Sequence, residues 1–422
     1  MTDPKNGLGK LHVNRRTLIK TGLALGAAQA VSAPFVIKAL GETPIKIAQI
    51  DPLTGVYADI AKNELIGAQL AVAEINASGG VLGRPIDMLV EDSANDVGTA
   101  VQKARKLIDR DNIQFLIGDL NSSTALALGQ VSNEKAVLHI VPGGHTDAVT
   151  GKDCHWNVFR VCNTTWMEVA AVARTLFDLY GKKWYFITPD YSFGHTLHSG
   201  FQTLLKRFGG TDLGGDMHPL GTSDFSAYLI KAQAAKPDVL IFLNAGQDMV
   251  NALKQSVQFG LDKQMHIGGA QQELEVVEGL PPEARIGTWV FEWYWKQPGV
   301  PHVEKFVADI RKRSGKVPTA RTWFGYAAVH TYGLIANQEK SLNAVKLARA
   351  LEGFTLPPQV ALMPGKPFYR KGDHQLMPTL FVGQAKASGS DPEDLFEVKQ
   401  LVEGAKVALP ETETGCVLKW PV

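Results

Sequence analysis

The chain has 422 residues, of which 20% are charged and 45% hydrophobic, and its formal net charge is +1. This length allows two domains with full cores, and the balanced charge argues against a nucleic-acid partner or a role at a membrane surface. No apolar run reaches the roughly 18–20 residues that span a bilayer. The three cysteines include no CxxC pair, which argues against a cysteine metal site and a disulfide scaffold.

The N-terminus has the pattern of a cleaved export signal. Arg15 and Arg16 precede Leu-Ile-Lys, and the run Thr21–Val31 that follows is apolar and rich in small residues. The paired arginines resemble twin-arginine signals, and the apolar run is too short to be a membrane span. We therefore expect residues 1–33 to be an export signal and the mature protein to be periplasmic. That compartment is oxidising and permits a bridge between Cys154 and Cys162, which would leave Cys416 unpaired.

Strand and helix patterns alternate through the first part of the mature chain. Strands are predicted at 45–50, 86–91, 113–117 and 137–141, and the helices between them carry apolar residues every three or four positions. Four such units predict a doubly wound parallel sheet.

The alternation of predicted helices and strands resumes after Cys162. The predicted elements are, in order, helix Trp166–Tyr180, strand Trp184–Thr188, helices His195–Phe208 and Tyr228–Ala235, strand Asp238–Leu243, helix Val250–Phe259 and strand His266–Gly269. Helices follow at Val303–Ser314, Trp323–Asn337 and Leu342–Leu351, with short strands near Leu356–Leu362 and Leu380–Val382. The pattern predicts an α/β fold with two doubly wound parallel-sheet lobes and a cleft between them.

The clearest candidate site follows the strand at 113–117. Asn121, Ser122 and Ser123 stand where the next helix must begin, and all three are good N-cap residues. Such a junction offers free backbone N–H groups and hydroxyls at the carboxyl edge of the sheet, where open α/β sheets bind ligands. A helix cap without a ligand would explain this loop alone. Similar polar or aromatic loops follow other strands, at Thr54–Tyr57, Gly143–Thr146, Tyr191–Phe193, Asn244–Gln247, Gln271–Gln272 and Trp323–Tyr326. The aromatic residues of Trp323–Tyr326 open a helix and could equally pack in the core.

The motifs of common enzymes are missing. The chain has no G-x-S-x-G elbow, P-loop or HExxH helix, and the glycine-rich Gly79–Gly83 follows a helix rather than a strand. His195 and His198 lie on one predicted helix without a third ligand, so we expect no metal site. We therefore expect a protein that binds a solute without catalysis or cofactor.

Several motifs together resemble the periplasmic solute-binding proteins of ABC importers, in the leucine/isoleucine/valine-binding branch of the type I fold. They are Pro52–Gly55, Gly67-Ala68, Ile75–Gly83, Ile117-Gly118 with Ser122-Ser123, Asp190–Gly194, Asp224–Ser226 and Tyr326–Ala328.

The resemblance covers about residues 45–382 and implies two lobes, joined by three hinge strands, that close on a small solute. We expect residues 45–163 and about 293–372 in the first lobe. Residues 164–292 and about 373–405 would form the second lobe, and residues 406–422 a C-terminal tail. The implied partners are the solute and an inner-membrane ABC permease, and we expect a monomer that binds no nucleic acid.

The resemblance also implies that Ser122 and Ser123, with Gly144 and His145 or Thr146, hold a carboxylate. The full set of expected ligand-binding residues is Tyr57, Asn121, Ser122, Ser123, Gly144, His145, Thr146, Tyr191, Phe193, Asn244, Gln271 and Trp323.

Two departures from the family bear on the ligand. A neutral residue such as Gln271 stands where amino-acid binders have the acid that grips the α-ammonium, and Asn244-Ala245-Gly246 replaces their aromatic residue. A buried ammonium without a carboxylate is costly. We therefore favour an aromatic acid, or another small carboxylate or amide. The alternatives are an aliphatic amino acid, with Glu273 or Asp248 as its acid, and an exported enzyme on the same fold.

Overall fold

The computed structural model describes residues 43–389 and 391–421, so the predicted export signal lies outside the described residues. Five parallel strands build the sheet of the first lobe, in the order β2-β1-β3-β4-β5. The elements are β1 (Ile45–Asp51), α1 (Ala58–Ala77), β2 (Ile86–Asp92), α2 (Val97–Asp109), β3 (Phe115–Gly118), α3 (Ser122–Glu134), β4 (Leu138–Val141) and β5 (Val158–Arg160). Strands β3 (FLIG) and β4 (LHIV) are buried along their whole length, as their largely apolar sequences predict.

The second lobe is built on a larger sheet, in the order β12-β11-β10-β9-β8-β6-β7. Its elements begin with α4 (Thr165–Tyr180), β6 (Lys183–Pro189), α5 (Ser192–Phe208), β7 (Thr211–His218), α6 (Ser226–Ala235), β8 (Val239–Phe242), α7 (Gly246–Gln258), β9 (His266–Gln271), α8 (Leu274–Glu278) and β10 (Thr288–Phe291). Strands β6 to β10 run parallel, whereas the last two strands, β11 (Thr379–Ala385) and β12 (Phe396–Glu403), are antiparallel.

The helices between β10 and β11 return to the first lobe. They are α9 (Val303–Ser314), α10 (Ala320–Glu339), α11 (Ala344–Leu351) and α12 (Pro358–Ala361), and a short α13 (Gly404–Val407) follows β12. Helix α10 packs along α1 so closely that a Cβ at Gly67 would lie 1.8 Å from the carbonyl oxygen of Thr322. The chain therefore passes between the lobes after β5, after β10 and before β11.

Two edge strands of the second lobe were not predicted, and one predicted strand is a helix. Strand β7 has the sequence TDLGGDMH, which carries few apolar residues because the strand lies at an exposed edge of its sheet. Strand β12 was also not predicted, and it is likewise an edge strand with mostly exposed side chains. The strand expected near Leu356–Leu362 is instead the short helix α12, where Pro357 is the N-cap and Pro358 the first helical residue.

The predicted Cys154–Cys162 bridge is wrong. The structure joins Cys154 to Cys416, with their Cα atoms 5.5 Å apart, and leaves Cys162 as a buried free thiol. Cys162 follows β5 into the core, whereas the C-terminal tail runs back over the first lobe and brings Cys416 to Cys154. Trp420 of the tail packs against Trp156, with ring centroids 5.7 Å apart. Among the described residues, no helix has the length and apolar composition to cross a bilayer.

Candidate functional site

The N-terminus of α3 meets the loop 143–146 at the edge of the first lobe. Asn121 is the N-cap, and its Oδ1 accepts from the amides of Ser123 and Thr124. The hydroxyl of Ser122 accepts from the amide of Thr146 at 3.1 Å, which ties the helix start to the loop. The side chain of Ser123 faces elsewhere, since this residue lines an outer cavity of about 830 Å³ beside Cys154.

The loop 143–146 is held from behind by Arg160. The buried guanidinium donates from one nitrogen to the carbonyls of Gly144, His145 and Thr146 at 3.1, 3.0 and 2.6 Å. A Cβ at Gly144 would lie 2.5 Å from the Cβ of Ala125, so glycine is needed for the loop to approach α3. The backbone of the loop 143–146, which the resemblance implies is part of a carboxylate-binding site (the carboxylate cradle), is therefore rigid.

The two lobes touch across the cleft through side-chain hydroxyls. The phenol oxygens of Tyr57, in the first lobe, and Tyr191, in the second, are 2.6 Å apart. The hydroxyl of Ser192 donates to that of Thr146 at 2.9 Å. The structure is therefore a closed form of the protein.

Arg321 and Glu273 form a second contact between the lobes. Nη2 of Arg321 lies 2.6 Å from Oε1 of Glu273, and both residues are almost fully buried. The same carboxylate accepts from the amide of Gly246 at 3.1 Å and from Nε2 of Gln271 at 2.8 Å. Nε and Nη1 of Arg321 and Nε2 of Gln272 have no acceptor among the described residues. The cleft thus contains buried donors that the described protein does not satisfy.

A third group of buried side chains consists of His145, Glu168 and Glu292. Nε2 of His145 is 2.7 Å from Oε2 of Glu292 and 3.5 Å from Oε1 of Glu168. Burial lowers the pKa of His145. Burial, and then the neighbouring Glu292 carboxylate, raise the pKa of Glu168 well above its usual range. Neither oxygen of Glu168 has a hydrogen-bond partner among the described residues.

This architecture of two lobes closed over a polar cleft also appears in known proteins. A model of the family described as periplasmic binding protein matches residues 44–390. The chain belongs to that family. The Leu/Ile/Val-binding protein homolog 2 of Brucella abortus (strain 2308) is 26% identical over 330 residues, which cover 78% of this chain and 86% of the relative.

Two crystal structures of periplasmic binding proteins are also similar. One, from Burkholderia mallei, has a TM-score of 0.83 at 28% identity and covers 88% of this chain and 98% of its own. The other is an amino acid ABC transporter substrate-binding protein from Pseudomonas fluorescens Pf-5. Its TM-score is 0.80 at 28% identity, over 89% of this chain and 100% of its own. The protein is therefore a substrate-binding protein of an ABC transporter of the branched-chain amino acid type.

The remaining predicted site residues of this binding protein lie in different surroundings. Phe193 contacts the ring of His145, with centroids 5.9 Å apart. Asn244 is buried in the second lobe, where its Nδ2 is 2.9 Å from Nε2 of His218. Trp323 lies in the core of the first lobe rather than in the cleft, because its indole N–H donates to the carbonyl of Val360 at 2.9 Å. Stacking of a ligand on Trp323 is therefore not available in this structure.

The histidine pair on α5 does not converge on a common point. Nε2 of His195 is 2.8 Å from Oδ1 of Asp190 on the surface, whereas Nδ1 of His198 is 3.0 Å from the hydroxyl of Thr188. Each imidazole therefore has its own partner.

Sequence reasoning missed the charged residues that line the junction of the lobes. The predicted site contains none of Arg321, Glu168 and Glu292. The available signals were an arginine at the start of an apolar helix and a glutamate directly after the apolar strand TWVF. Charged residues in such positions are rarely buried without a partner.

Proposed function

We propose that this protein is an exported, non-enzymatic receptor that delivers a small carboxylate- or amide-bearing solute to an inner-membrane ABC permease. It would act as a monomer, and lobe closure would let the permease distinguish the loaded form. The observation that carries the proposal is Arg321, whose Nε and Nη1 lie buried between the lobes without an acceptor among the described residues.

A carboxylate or amide oxygen would satisfy these donors. Arginine N–H groups form charge-assisted hydrogen bonds with carboxylates, and leaving such donors unpaired in the interior is costly. Gln272 Nε2 offers another unpaired donor next to Glu273, and Ser122 ties α3 to the neighbouring loop. We infer that the solute's acceptor group lies among Arg321, Gln272 and Ser122.

We favour an aromatic acid as the solute. Glu273, which could have gripped an ammonium, already pairs with Arg321. Aromatic side chains line the same region, since the rings of Phe193 and Phe324 lie 5.9 and 6.3 Å from His145 and Tyr191 lies 5.9 Å from Phe193. Offset or edge contacts with these rings would favour an aromatic solute.

An aliphatic amino acid is the second candidate, and the observation in its favour is Glu168. Both oxygens of this buried carboxyl group lack a partner among the described residues. An α-ammonium would supply the missing donors and counter-charge.

Alanine variants of the two serines at the start of α3 test the carboxylate cradle. Ser122→Ala should weaken solute binding by about 1–3 kcal/mol because it removes a hydroxyl at the cleft. Ser123→Ala is the matched comparison, since Ser123 lines the outer cavity. Calorimetric titration that finds equal affinities for wild type and Ser122→Ala would refute the cradle.

Export is tested separately. Arg15→Lys with Arg16→Lys should leave the precursor in the cytoplasm if the signal is of the twin-arginine class. Cell fractionation with antibody detection measures this directly, and a normal periplasmic yield of the double variant would contradict the assignment.

A further inference from the structure

We propose that His145, Glu168 and Glu292 bind a divalent transition-metal ion, with Zn²⁺ as the expected ion, where the two lobes join. The three residues come from different parts of the fold. His145 lies in the loop after β4, Glu168 in the first turn of α4, and Glu292 directly after β10. All three are at most 2% exposed, and one nitrogen or oxygen of each lies within 4.8 Å of the others.

The distances fit a single ion. Zinc binds imidazole nitrogen and carboxylate oxygen at roughly 2.0–2.2 Å, so two ligand atoms in a tetrahedral shell are about 3.3 Å apart. The observed separations of His145 Nε2 from Glu292 and Glu168 are 2.7 and 3.5 Å. Small side-chain rotations would bring all three atoms to ligand distance.

The hydrogen bond on the other side of the imidazole sets which nitrogen is available. Nδ1 of His145 is 2.5 Å from the carbonyl oxygen of Gly143, and a carbonyl can only accept, so Nδ1 carries a proton. The lone pair of Nε2 in the neutral ring then points toward two carboxylates. Three acceptors in one place need a proton or a metal ion among them.

A proton would not satisfy the whole group, whether it lies on Glu168, whose oxygens have no hydrogen-bond partner among the described residues, or on Nε2 of His145. A proton on Nε2 would bridge to Glu292 at 2.7 Å, but both oxygens of Glu168 would stay buried without a partner. A divalent ion would bind all three side chains and balance the charge of two carboxylates. The unpaired, fully buried Glu168 is therefore the observation that favours a metal ion over a simple ion pair.

The surrounding residues provide the support that metal ligands usually have. Metal-binding histidines commonly donate their second N–H to a carbonyl or carboxylate, and ligating carboxylates are themselves hydrogen-bonded. Here Gly143 accepts from His145, and Oε1 of Glu292 accepts from the amide and the side chain of Asn163, each at 3.0 Å. Three protein ligands leave a fourth position for water or for an oxygen of the solute.

The test uses the mature wild-type protein, freed of metal with EDTA and kept free of solute. Titration with ZnCl₂ in a calorimeter should show one ion per chain, and Co²⁺ should give the visible absorption of a low-symmetry site that Zn²⁺ then abolishes. Glu168→Gln and His145→Gln should each weaken Zn²⁺ binding more than about 10-fold. Glu168→Gln removes no hydrogen bond seen in the described structure, and circular dichroism confirms folding of both variants. His195→Gln, which alters the exposed pair with Asp190, is the matched control and should bind as wild type does.

Three results would overturn the proposal. The first is a wild-type protein that binds neither Zn²⁺ nor Co²⁺ stoichiometrically. The second is metal binding whose affinity is the same in wild type, Glu168→Gln and His145→Gln. The proposal would also fail if the wild-type protein bound neither metal but was stabilised by an amine-bearing solute that did not stabilise Glu168→Gln. Glu168 would then bind the solute. Solute binding is measured separately in EDTA, so failure of the metal site would leave the proposed transport function standing.

Discussion

Nη2 of Arg321 lies 2.6 Å from Oε1 of Glu273, and this ion pair joins α10 of the first lobe to the end of β9 in the second. Both side chains are at most 4% exposed, so closure removes both charges from water. Each side chain then has the other as a directly bonded counter-charge, which couples the position of the lobes to this contact.

Removing one partner of this pair should be strongly destabilising. Arg321→Gln leaves Glu273 buried without its counter-charge, and we expect a loss of about 3–5 kcal/mol in the free energy of unfolding. The double variant with Glu273→Gln should recover much of that loss. Urea denaturation at neutral pH measures both, and Arg174→Gln, from an exposed pair with Asp178, should cost under about 1 kcal/mol. Strictly additive losses in the double variant would show that the two residues act independently.

The phenol pair of Tyr57 and Tyr191 should stabilise the closed form. Either Tyr→Phe variant removes the 2.6 Å hydrogen bond between the lobes, and solute affinity should fall by about 0.5–1.5 kcal/mol. The double variant should be no weaker than the single ones, because both remove the same bond. Calorimetric titrations of the four proteins form a double-mutant cycle, in which additive losses would disprove the coupling.

The Cys154–Cys416 bridge makes a prediction about thiols. Unfolded without reductant, the protein should expose one titratable thiol, that of Cys162, and reduction should raise the number to three. Cys416→Ser should lower stability by about 2–5 kcal/mol, because the bridge closes a loop of 262 residues in the unfolded chain. Peptide mapping that pairs Cys162 with either other cysteine would contradict the structure.

Glu275 should make stability depend on pH. Burial, then the nearby Glu273 charge, raise the pKa of Glu275 from 4.5 to about 7, while Asn63 of the other lobe donates to it at 2.8 Å. The folded protein keeps this proton where the unfolded chain has lost it. The residue's contribution to stability is therefore complete below pH 4.5 and falls as the pH rises to about 7.

Glu275→Gln cannot ionise and should remove this slope, so the variant should gain about 1–3 kcal/mol relative to wild type between pH 4.5 and 8. Denaturation curves across that range provide the measurement. Parallel pH profiles for the two proteins would show that Glu275 titrates normally.

The α/β class, the two lobes and the family resemblance are confirmed, because they depend on long periodic segments and on turn motifs that a sequence displays directly. Edge strand β7 was missed because exposure on both faces removes the apolar signal. The disulfide was predicted wrongly because sequence separation does not reveal that the tail returns to Cys154.

The candidate site was less predictable. The local sequence pattern predicted the helix cap at Asn121 and the loop that contains His145, because both follow strands of a parallel sheet. It could not reveal that Arg321 meets Glu273 or that Glu168 meets Glu292, because those contacts join segments more than 40 residues apart and depend on how the lobes close. Trp323 was assigned to the cleft, but its indole belongs to the core.

The proposed class of solute can be tested by a thermal-shift screen of the mature protein in EDTA. The panel holds aromatic carboxylates, their amides, short-chain acids and aliphatic amino acids, with neutral sugars and nucleosides as an outgroup. We expect an aromatic carboxylate or amide to raise apparent stability by about 3–4 kcal/mol at a few hundred-fold excess over its Kd. A shift with leucine or valine alone would favour the amino-acid alternative, in which Glu168 pairs with the solute's ammonium. Stabilisation by a sugar or nucleoside, with none by any carboxylate or amide, would contradict the proposed function.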